Sequence, residues 1–300
     1  MNQTVGTVIA SHGRQLLVAV DSETAPPREA VTRGRRSDCC VGDRVALTLI
    51  GDRQAAIEKI LPRTNLVMRS DAGRSKALAA NVDRVAVVVS AEPPFSEELL
   101  MRVLAVAANE EIPAIIVAGK CDLRDAHAQI EPRLALYESL GWPVARISVR
   151  TEPEASLRAL VPHLGGQRTL LLGQSGMGKS TLVNLLVPHA DQATREISVA
   201  LSSGRHTTSF CRMFGHSERL PEGSTVIDSP GFQLFGIAHL SRSQLMHALP
   251  DFRPLLGQCR FGNCLHRDEP GCAVHEGIRS GRVDGRRHQL YLSMLHDSLS

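Results

Sequence analysis

Several features that are common in other proteins are scarce or missing in this 300-residue sequence. No apolar run reaches the roughly 18 residues that a membrane-spanning helix needs, and residues 1–10 lack the pattern of a secretory signal. Aromatic residues make up only 3%, which argues against a surface that stacks rows of single-stranded bases. Only four of the 34 basic residues are lysines: Lys59, Lys76, Lys120 and Lys179. We therefore expect a cytoplasmic protein without membrane contact.

The composition that remains predicts a globular protein of more than one domain. Hydrophobic residues account for 43% and charged residues for 22%, a balance that excludes intrinsic disorder. The length is about twice that of a usual domain, and the net charge of +3 is too small to indicate nucleic-acid binding by itself. Because the apolar pattern changes twice along the chain, we predict domains over residues 1–68, 69–240 and 241–300.

Each predicted domain has its own pattern of secondary structure. In the first, short apolar runs between turn residues predict the strands of a small β-barrel, at 5–10, 15–20 and 44–49. In the second, apolar strands alternate with amphipathic helices, which is typical of a parallel α/β sheet. Its strands are expected at 85–89, 114–117, 144–147 and 169–172, and its helices at 96–109, 130–140 and 154–164. The third is predicted to be mainly helical, ending in a helix over 286–299.

The strongest motif follows the strand at 169–172 and fits the pattern G-x-x-x-x-G-K-[ST]. It consists of Gly173, Gln174, Ser175, Gly176, Met177, Gly178, Lys179, Ser180 and Thr181. Glycines let the backbone N–H groups surround a phosphate, while Lys179 adds a positive charge and the Ser180 hydroxyl suits Mg²⁺. With a strand before it and a helix after it, residues 173–181 are predicted to be a phosphate loop.

A second segment indicates which base is bound. The strand at 114–117 leads into Gly119, Lys120, Cys121 and Asp122, which resembles the [NT]-K-x-D segment with which Ras-like GTPases recognise guanine. A carboxylate there can accept hydrogen bonds from guanine N1–H and the exocyclic amine, which adenine does not offer. Gly119 replaces the usual asparagine, which bonds both the base and the phosphate loop, so we expect a lower affinity. Residues 147–149 occupy the place of the loop that backs the base.

A third segment, in which Asp228 and Gly231 are part of a D-x-P-G pattern, resembles the Walker-B and switch region. Asp228 is expected to share Mg²⁺ with Ser180 and with Thr208 from the polar run at 204–209, while the Gly231 N–H senses the γ-phosphate. Phe232 stands where a water-orienting glutamine is usual, so intrinsic hydrolysis should be slow. His206 is the candidate for positioning water; a solvent-exposed histidine without a catalytic role is the alternative.

Seven cysteines in a chain without a secretion signal favour metal binding or free thiols over disulfides. Four residues near the C-terminus have the spacing Cys259-x₄-Cys264-x-His266-x₅-Cys272. Three thiolates and one imidazole are the ligands of a closed, structural zinc site. Unrelated buried cysteines are the alternative interpretation, and His275 is a weaker spare ligand.

The order of the nucleotide motifs is unusual, because Asp122 precedes Gly173 by 51 residues, whereas in ordinary GTPases the guanine segment comes last. The domain is therefore circularly permuted. Together with the barrel before it and the cysteine cluster after it, the chain resembles the circularly permuted GTPases of the RsgA/YjeQ family, the ribosome small-subunit-dependent GTPases. The resemblance covers nearly the whole chain, including residues 79–83 and 204–208.

This resemblance implies an OB-fold barrel, a GTPase domain and a zinc-binding domain in one chain; the sequence does not fix the oligomeric state, and a monomer is the simplest expectation. It also implies binding of GTP or GDP with Mg²⁺, late maturation of the small ribosomal subunit, and contact of the outer domains with ribosomal RNA. Two arginine clusters are candidates for that contact, Arg33, Arg35 and Arg36, and Arg279, Arg282, Arg286 and Arg287, although solvated charged faces are the alternative. An ATP-using phosphate-loop enzyme, or an RNA-binding protein with a vestigial nucleotide site, would also fit the motifs.

Overall fold

The computed structural model describes residues 4–12, 15–21, 26–32, 38–71, 74–190, 210–215 and 217–297. Its first five strands close into a barrel in the order β1-β2-β3-β5-β4-β1, in which only the β3–β5 pair is parallel. The strands are β1 (Thr4–His12), β2 (Gln15–Val20), β3 (Arg28–Thr32), β4 (Arg44–Ile50) and β5 (Gln54–Ile60). Branched apolar side chains such as Val8, Val18 and Leu47 fill the interior. The predicted OB-like barrel is confirmed, and β3 and β5 are the strands that the pattern did not indicate.

Two further strands form a hairpin between the barrel and the central sheet. They are β6 (Leu66–Asp71) and β7 (Arg74–Ala80), so the boundary predicted at residue 68 falls inside β6. The Ser70 N–H donates to the Gly236 carbonyl at 2.9 Å, and the Ser70 hydroxyl lies 2.8 Å from His239 Nδ1. On the other side, the Ala80 N–H donates to the Val41 carbonyl at 2.9 Å. The hairpin therefore contacts both neighbouring domains.

The central sheet has the order β10-β9-β8-β11-β13-β12, and every pair is parallel except β12 with β13. Its strands are β8 (Arg84–Ser90), β9 (Ala114–Gly119), β10 (Val144–Arg146), β11 (Arg168–Gly173), β12 (Arg212–Phe214) and β13 (Thr225–Asp228). The helices are α1 (Glu97–Asn109), α2 (Arg124–Ser139), α3 (Pro153–Leu164) and α4 (Lys179–Leu186). All six residues of β9 are buried, as expected for a strand covered on both faces. The carboxyl ends of the parallel strands share one edge, where ligands bind in such sheets.

The C-terminal residues form helices α5 (Arg242–His247), α6 (Ala273–Arg279) and α7 (Gly285–Asp297), with a 3₁₀ turn at Arg253–Leu255. Helix α7 lies against α1, where Arg286 Nε and Glu97 Oε2 are 2.8 Å apart. Arg287 was expected in an exposed basic cluster, and this prediction was wrong: its side chain is fully buried and bonded to Asp251. None of the helices in the described ranges is long and apolar enough to cross a membrane.

Candidate functional site

The phosphate loop connects β11 to α4 with a backbone that requires glycine at both ends. Gly173 ends β11, and a Cβ there would lie 2.5 Å from the Val88 carbonyl oxygen of the neighbouring strand. Gly178 has φ +94° and caps α4, whose first residue is Lys179. Residues other than glycine rarely adopt that backbone conformation. The loop therefore passes from strand to helix in a tight turn, with the helix N-terminus and its partial positive charge behind it.

Two oppositely charged groups are buried below this loop. Lys179 is 8% exposed, and burial lowers its pKa below the ordinary value. Asp228 ends β13, and burial raises its pKa to about 6, although Lys179 and Arg212 act in the opposite direction. Asp228 Oδ1 has no hydrogen-bond partner among the residues that the structure describes. A buried carboxylate oxygen without a donor is a ready ligand for a divalent cation, and the exposed Ser180 hydroxyl follows Lys179 on α4.

The guanine segment reaches the phosphate loop from β9, which is separated from β11 by β8. Its Lys120 has φ +58°, which turns the chain at the strand end. Lys120 Nζ donates to the Glu92 carbonyl at 2.6 Å and to the Gly176 carbonyl of the phosphate loop at 2.8 Å. One ammonium group thus connects the end of β9, the loop after β8 and the phosphate loop. The structure brings together two segments that are far apart in the sequence.

Asp122 is exposed at the same edge of the sheet, and a hydrogen bond from the next loop orients its carboxylate. The Ser148 hydroxyl donates to Asp122 Oδ1 and lies 2.7 Å from the Thr151 hydroxyl. The loop at Ser148 follows β10, which pairs with β9, and the Ile147 N–H donates to the Ala118 carbonyl at 2.8 Å. The carboxylate is therefore oriented by the loop that the sequence indicated, whereas the partner Thr151 carried no sequence signal.

A cavity of about 260 Å³ lies between these segments. Its lining comes from the ends of β8, β9 and β10, from the phosphate loop and from α4, and includes Gly119, Lys120, Asp122, Met177, Gly178 and Thr181. Arg150 also lines it and was not a predicted site residue. Cys121 is not among the lining residues; its Sγ lies 3.2 Å from the Ala118 carbonyl oxygen and 3.6 Å from His127 Nδ1.

The D-x-P-G segment lies against the phosphate loop. A Cβ at Gly231 would be 2.9 Å from Ser175 Cα, so only glycine fits. Phe232 is 5% exposed and packs edge-on against Phe235, with ring centres 5.7 Å apart. The Phe232 side chain is therefore part of the hydrophobic core. His206 and Thr208 lie outside the described residues, as do the arginines at 33, 35 and 36.

The four predicted metal ligands converge near α6. Their ligand atoms all lie within 4.8 Å of one another, and His266 Nδ1 is 3.5 Å, 3.6 Å and 3.4 Å from the sulfurs of Cys259, Cys264 and Cys272. Bond lengths of about 2.3 Å to sulfur and 2.0 Å to nitrogen place these atoms about 3.5 Å apart in a tetrahedron. The cluster therefore fits a structural metal site.

Neighbouring groups orient the metal ligands. The Ala273 N–H donates to Cys259 Sγ at 3.3 Å, and His288 Nε2 lies 2.6 Å from the His266 carbonyl oxygen. His275, the spare candidate, is not part of the cluster, and its ring lies 5.1 Å from that of His288. Contacts of this kind around the ligands orient them toward the ion in metal sites.

Known proteins that are similar in sequence to this chain have GTPase names. The family model of the RsgA GTPase matches residues 60–238. A small ribosomal subunit biogenesis GTPase RsgA of Paraburkholderia phytofirmans is 50% identical over 98% of this chain and 93% of its own length. One of Burkholderia pseudomallei is 48% identical over 98% and 92%.

Solved structures show the same architecture. The crystal structure of YjeQ from Thermotoga maritima has a TM-score of 0.73 and 27% identity, covering 100% of this chain and 99% of that one. YloQ, described as a circularly permuted GTPase, has a TM-score of 0.69 and 26% identity, covering 99% and 95%. Because the family model matches residues 60–238, a relative is 50% identical over 98% of the chain, and the fold is shared, the chain belongs to the RsgA family of circularly permuted GTPases.

Proposed function

We propose that this chain hydrolyses GTP and assists late maturation of the small ribosomal subunit. The observation that carries the proposal is that the guanine segment and the phosphate loop line the same cavity. Family membership and the names of the relatives point to the same activity. We also propose that it acts in the cytoplasm, as a role on the ribosomal subunit requires, and that it does so as a monomer.

In this proposal, residues 173–181 hold the phosphates and residues 119–122 hold the base. Asp122 accepts hydrogen bonds from the N1–H and the amine of guanine, in an orientation that its bond from Ser148 supports. Lys179 lies at the N-terminus of α4, where its charge and the helix dipole both favour phosphate. Gly231, packed on Ser175, puts the switch segment within reach of the terminal phosphate.

The residues for Mg²⁺ are Ser180, Asp228 and Thr208. The unpartnered, buried Oδ1 of Asp228 fits a cation, and Mg²⁺ bound with GTP would neutralise charge on the β- and γ-phosphates. Phe232 cannot orient an attacking water, because its side chain is apolar and buried. We therefore propose slow hydrolysis by the chain alone, stimulation by the small subunit, and His206 as the residue that positions water.

The outer domains are proposed to bind ribosomal RNA, with the divisions at residues 68 and 240. The Cys₃His donor set favours zinc, which would hold the segment around α6 together by joining residues 259, 264, 266 and 272. Of the C-terminal arginines, Arg279, Arg282 and Arg286 are exposed and remain candidates for phosphate contact.

Turnover of GTP, ATP and xanthosine triphosphate, with and without purified small subunits, tests this function. Asp122→Asn should weaken GTP use by about 10-fold or more and favour xanthosine triphosphate, because the new amide donates where guanine also donates. Asp125→Asn, an exposed neighbour at the start of α2, should behave like the original chain. Preference for ATP would indicate another phosphate-loop enzyme, and RNA binding without any turnover a vestigial nucleotide site.

A further inference from the structure

We propose that the base pocket of this chain does not recognise position 7 of guanine, so that nucleotides altered at N7 bind as well as unmodified ones. The inference rests on the proposed function and concerns one residue, Gly119. The ligand class is guanine nucleotides that lack the N7 acceptor or carry a small substituent there. The residue that determines this specificity is Gly119, which stands where the Ras-like [NT]-K-x-D segment usually has an asparagine.

The two edges of guanine need opposite partners. One edge offers the donors N1–H and the exocyclic amine, and the other offers the acceptors O6 and N7. The ionised carboxylate of Asp122 can only accept, so it recognises the first edge. Recognition of N7 requires a donor, which an asparagine amide at position 119 would supply. Glycine supplies no side-chain donor.

The local geometry does not require glycine at this position. A Cβ on Gly119 would lie 3.5 Å from the Met177 carbonyl oxygen and 3.7 Å from the Val89 carbonyl oxygen, which are ordinary contacts. The backbone at Gly119 is also outside the left-handed region, so any residue can adopt it. Because Gly119 lines the cavity, the space that an asparagine side chain would fill is available to the ligand.

Few other side chains of the cavity can donate to the base. Lys120 Nζ is directed to the carbonyl oxygens of Glu92 and Gly176. Thr181 is on α4, on the side of the phosphate loop. Among the described lining residues, Arg150 is the remaining cationic side chain, and it is exposed at the rim. It is therefore the one residue whose contribution the experiment must separate from that of Gly119.

The experiment measures Kd for the full-length chain by displacement of a fluorescent GDP analogue with GDP, 7-deaza-GDP and 7-methyl-GDP. In 7-deaza-GDP a C–H group replaces N7, so only the acceptor is lost. We expect GDP and 7-deaza-GDP to bind the original chain with Kd values within about twofold, because no neutral hydrogen bond, worth roughly 2- to 12-fold, is lost. 7-methyl-GDP should also compete.

Two variants at the same position provide the comparison. Gly119→Asn should tighten GDP more than 7-deaza-GDP, opening a gap of roughly 2- to 12-fold, and should weaken 7-methyl-GDP because the amide takes the space of the methyl group. Gly119→Ala adds the Cβ without a donor and should open no gap. If the asparagine variant does not fold, the ratio measured on the original chain still decides.

A preference of the original chain for GDP over 7-deaza-GDP of more than about twofold would overturn the inference, since a formed hydrogen bond is worth roughly 2- to 12-fold. Loss of that preference in Arg150→Met would assign N7 recognition to Arg150. Failure of the proposed function has a different result: ADP would displace the probe as well as GDP does, or no nucleotide would bind, and the inference would be overturned with it.

Discussion

The buried ion pair between Arg287 and Asp251 allows a prediction about how the C-terminal segment is attached. Arg287 Nε and Nη2 donate to the two carboxylate oxygens of Asp251, each at 2.9 Å, and the two side chains are 0% and 2% exposed. The guanidinium also lies 5.0 Å from the ring centre of Tyr137 and 5.6 Å from that of Trp142. Since these aromatic residues belong to the central domain, the pair contributes to contact between domains.

Removing either partner should be costly, because the other charge stays buried without compensation. We expect Arg287→Met or Asp251→Leu to lower the free energy of unfolding by about 3–5 kcal/mol. The double variant, which replaces the pair by apolar side chains, should be near the original stability or above it. The expected coupling between the two positions is therefore about the sum of the two single-variant losses, roughly 6–10 kcal/mol.

Trp142 is the only tryptophan in the chain and lies at this contact, so its fluorescence reports the relevant transition. With a urea dependence of about 2 kcal/mol/M, a single variant should lower the midpoint by roughly 1.5–2.5 M. Arg279→Met is the matched control, because its pair with Glu276 is exposed and worth about 0–1 kcal/mol. Single variants that unfold like the control, or a double variant as unstable as the singles combined, would refute the reasoning.

Three further predictions concern the nucleotide and metal sites. Lys120→Met loses charge-assisted bonds at 2.6 Å and 2.8 Å and should weaken GDP binding about 10-fold or more in a displacement assay. The control Lys59→Met, on the barrel, should bind GDP normally, and equal affinities of the two variants would contradict a role of the Lys120 bonds in the site. Gly231→Ala would put a Cβ 2.9 Å from Ser175 Cα, so its GTP turnover should fall. Gly215→Ala, a position with open space around it, should turn over GTP normally, and normal turnover by both variants would show that the D-x-P-G segment can shift. Chelation should release one metal ion per chain and make the segment around α6 sensitive to protease, because the metal supplies much of its folding free energy; a resistant metal-free protein would argue that packing suffices.

Much of the fold could be predicted because its signals are local. Apolar strands alternating with amphipathic helices indicate a parallel sheet wherever they occur, and the residues at 173–181 are contiguous. The strands β3, β5 and β12 were not predicted, because their pairing depends on partners elsewhere in the chain. The hairpin β6–β7 was also missed: its two strands pair with each other, and residue 70 also bonds to residue 236, far along the sequence.

The sequence by itself determined the kinds of chemistry present: a phosphate loop, a carboxylate suited to guanine, and three thiols with one imidazole at metal-binding spacing. Tertiary structure alone decided which of these residues meet, because the contacts depend on strand order and on backbone carbonyls that have no sequence pattern. Lys120 shows the difference, since its partners are carbonyl groups of Glu92 and Gly176. Arg287 shows it as well: a charged residue in a basic stretch is exposed by default, and only the folded chain supplies the buried Asp251 that holds it inside.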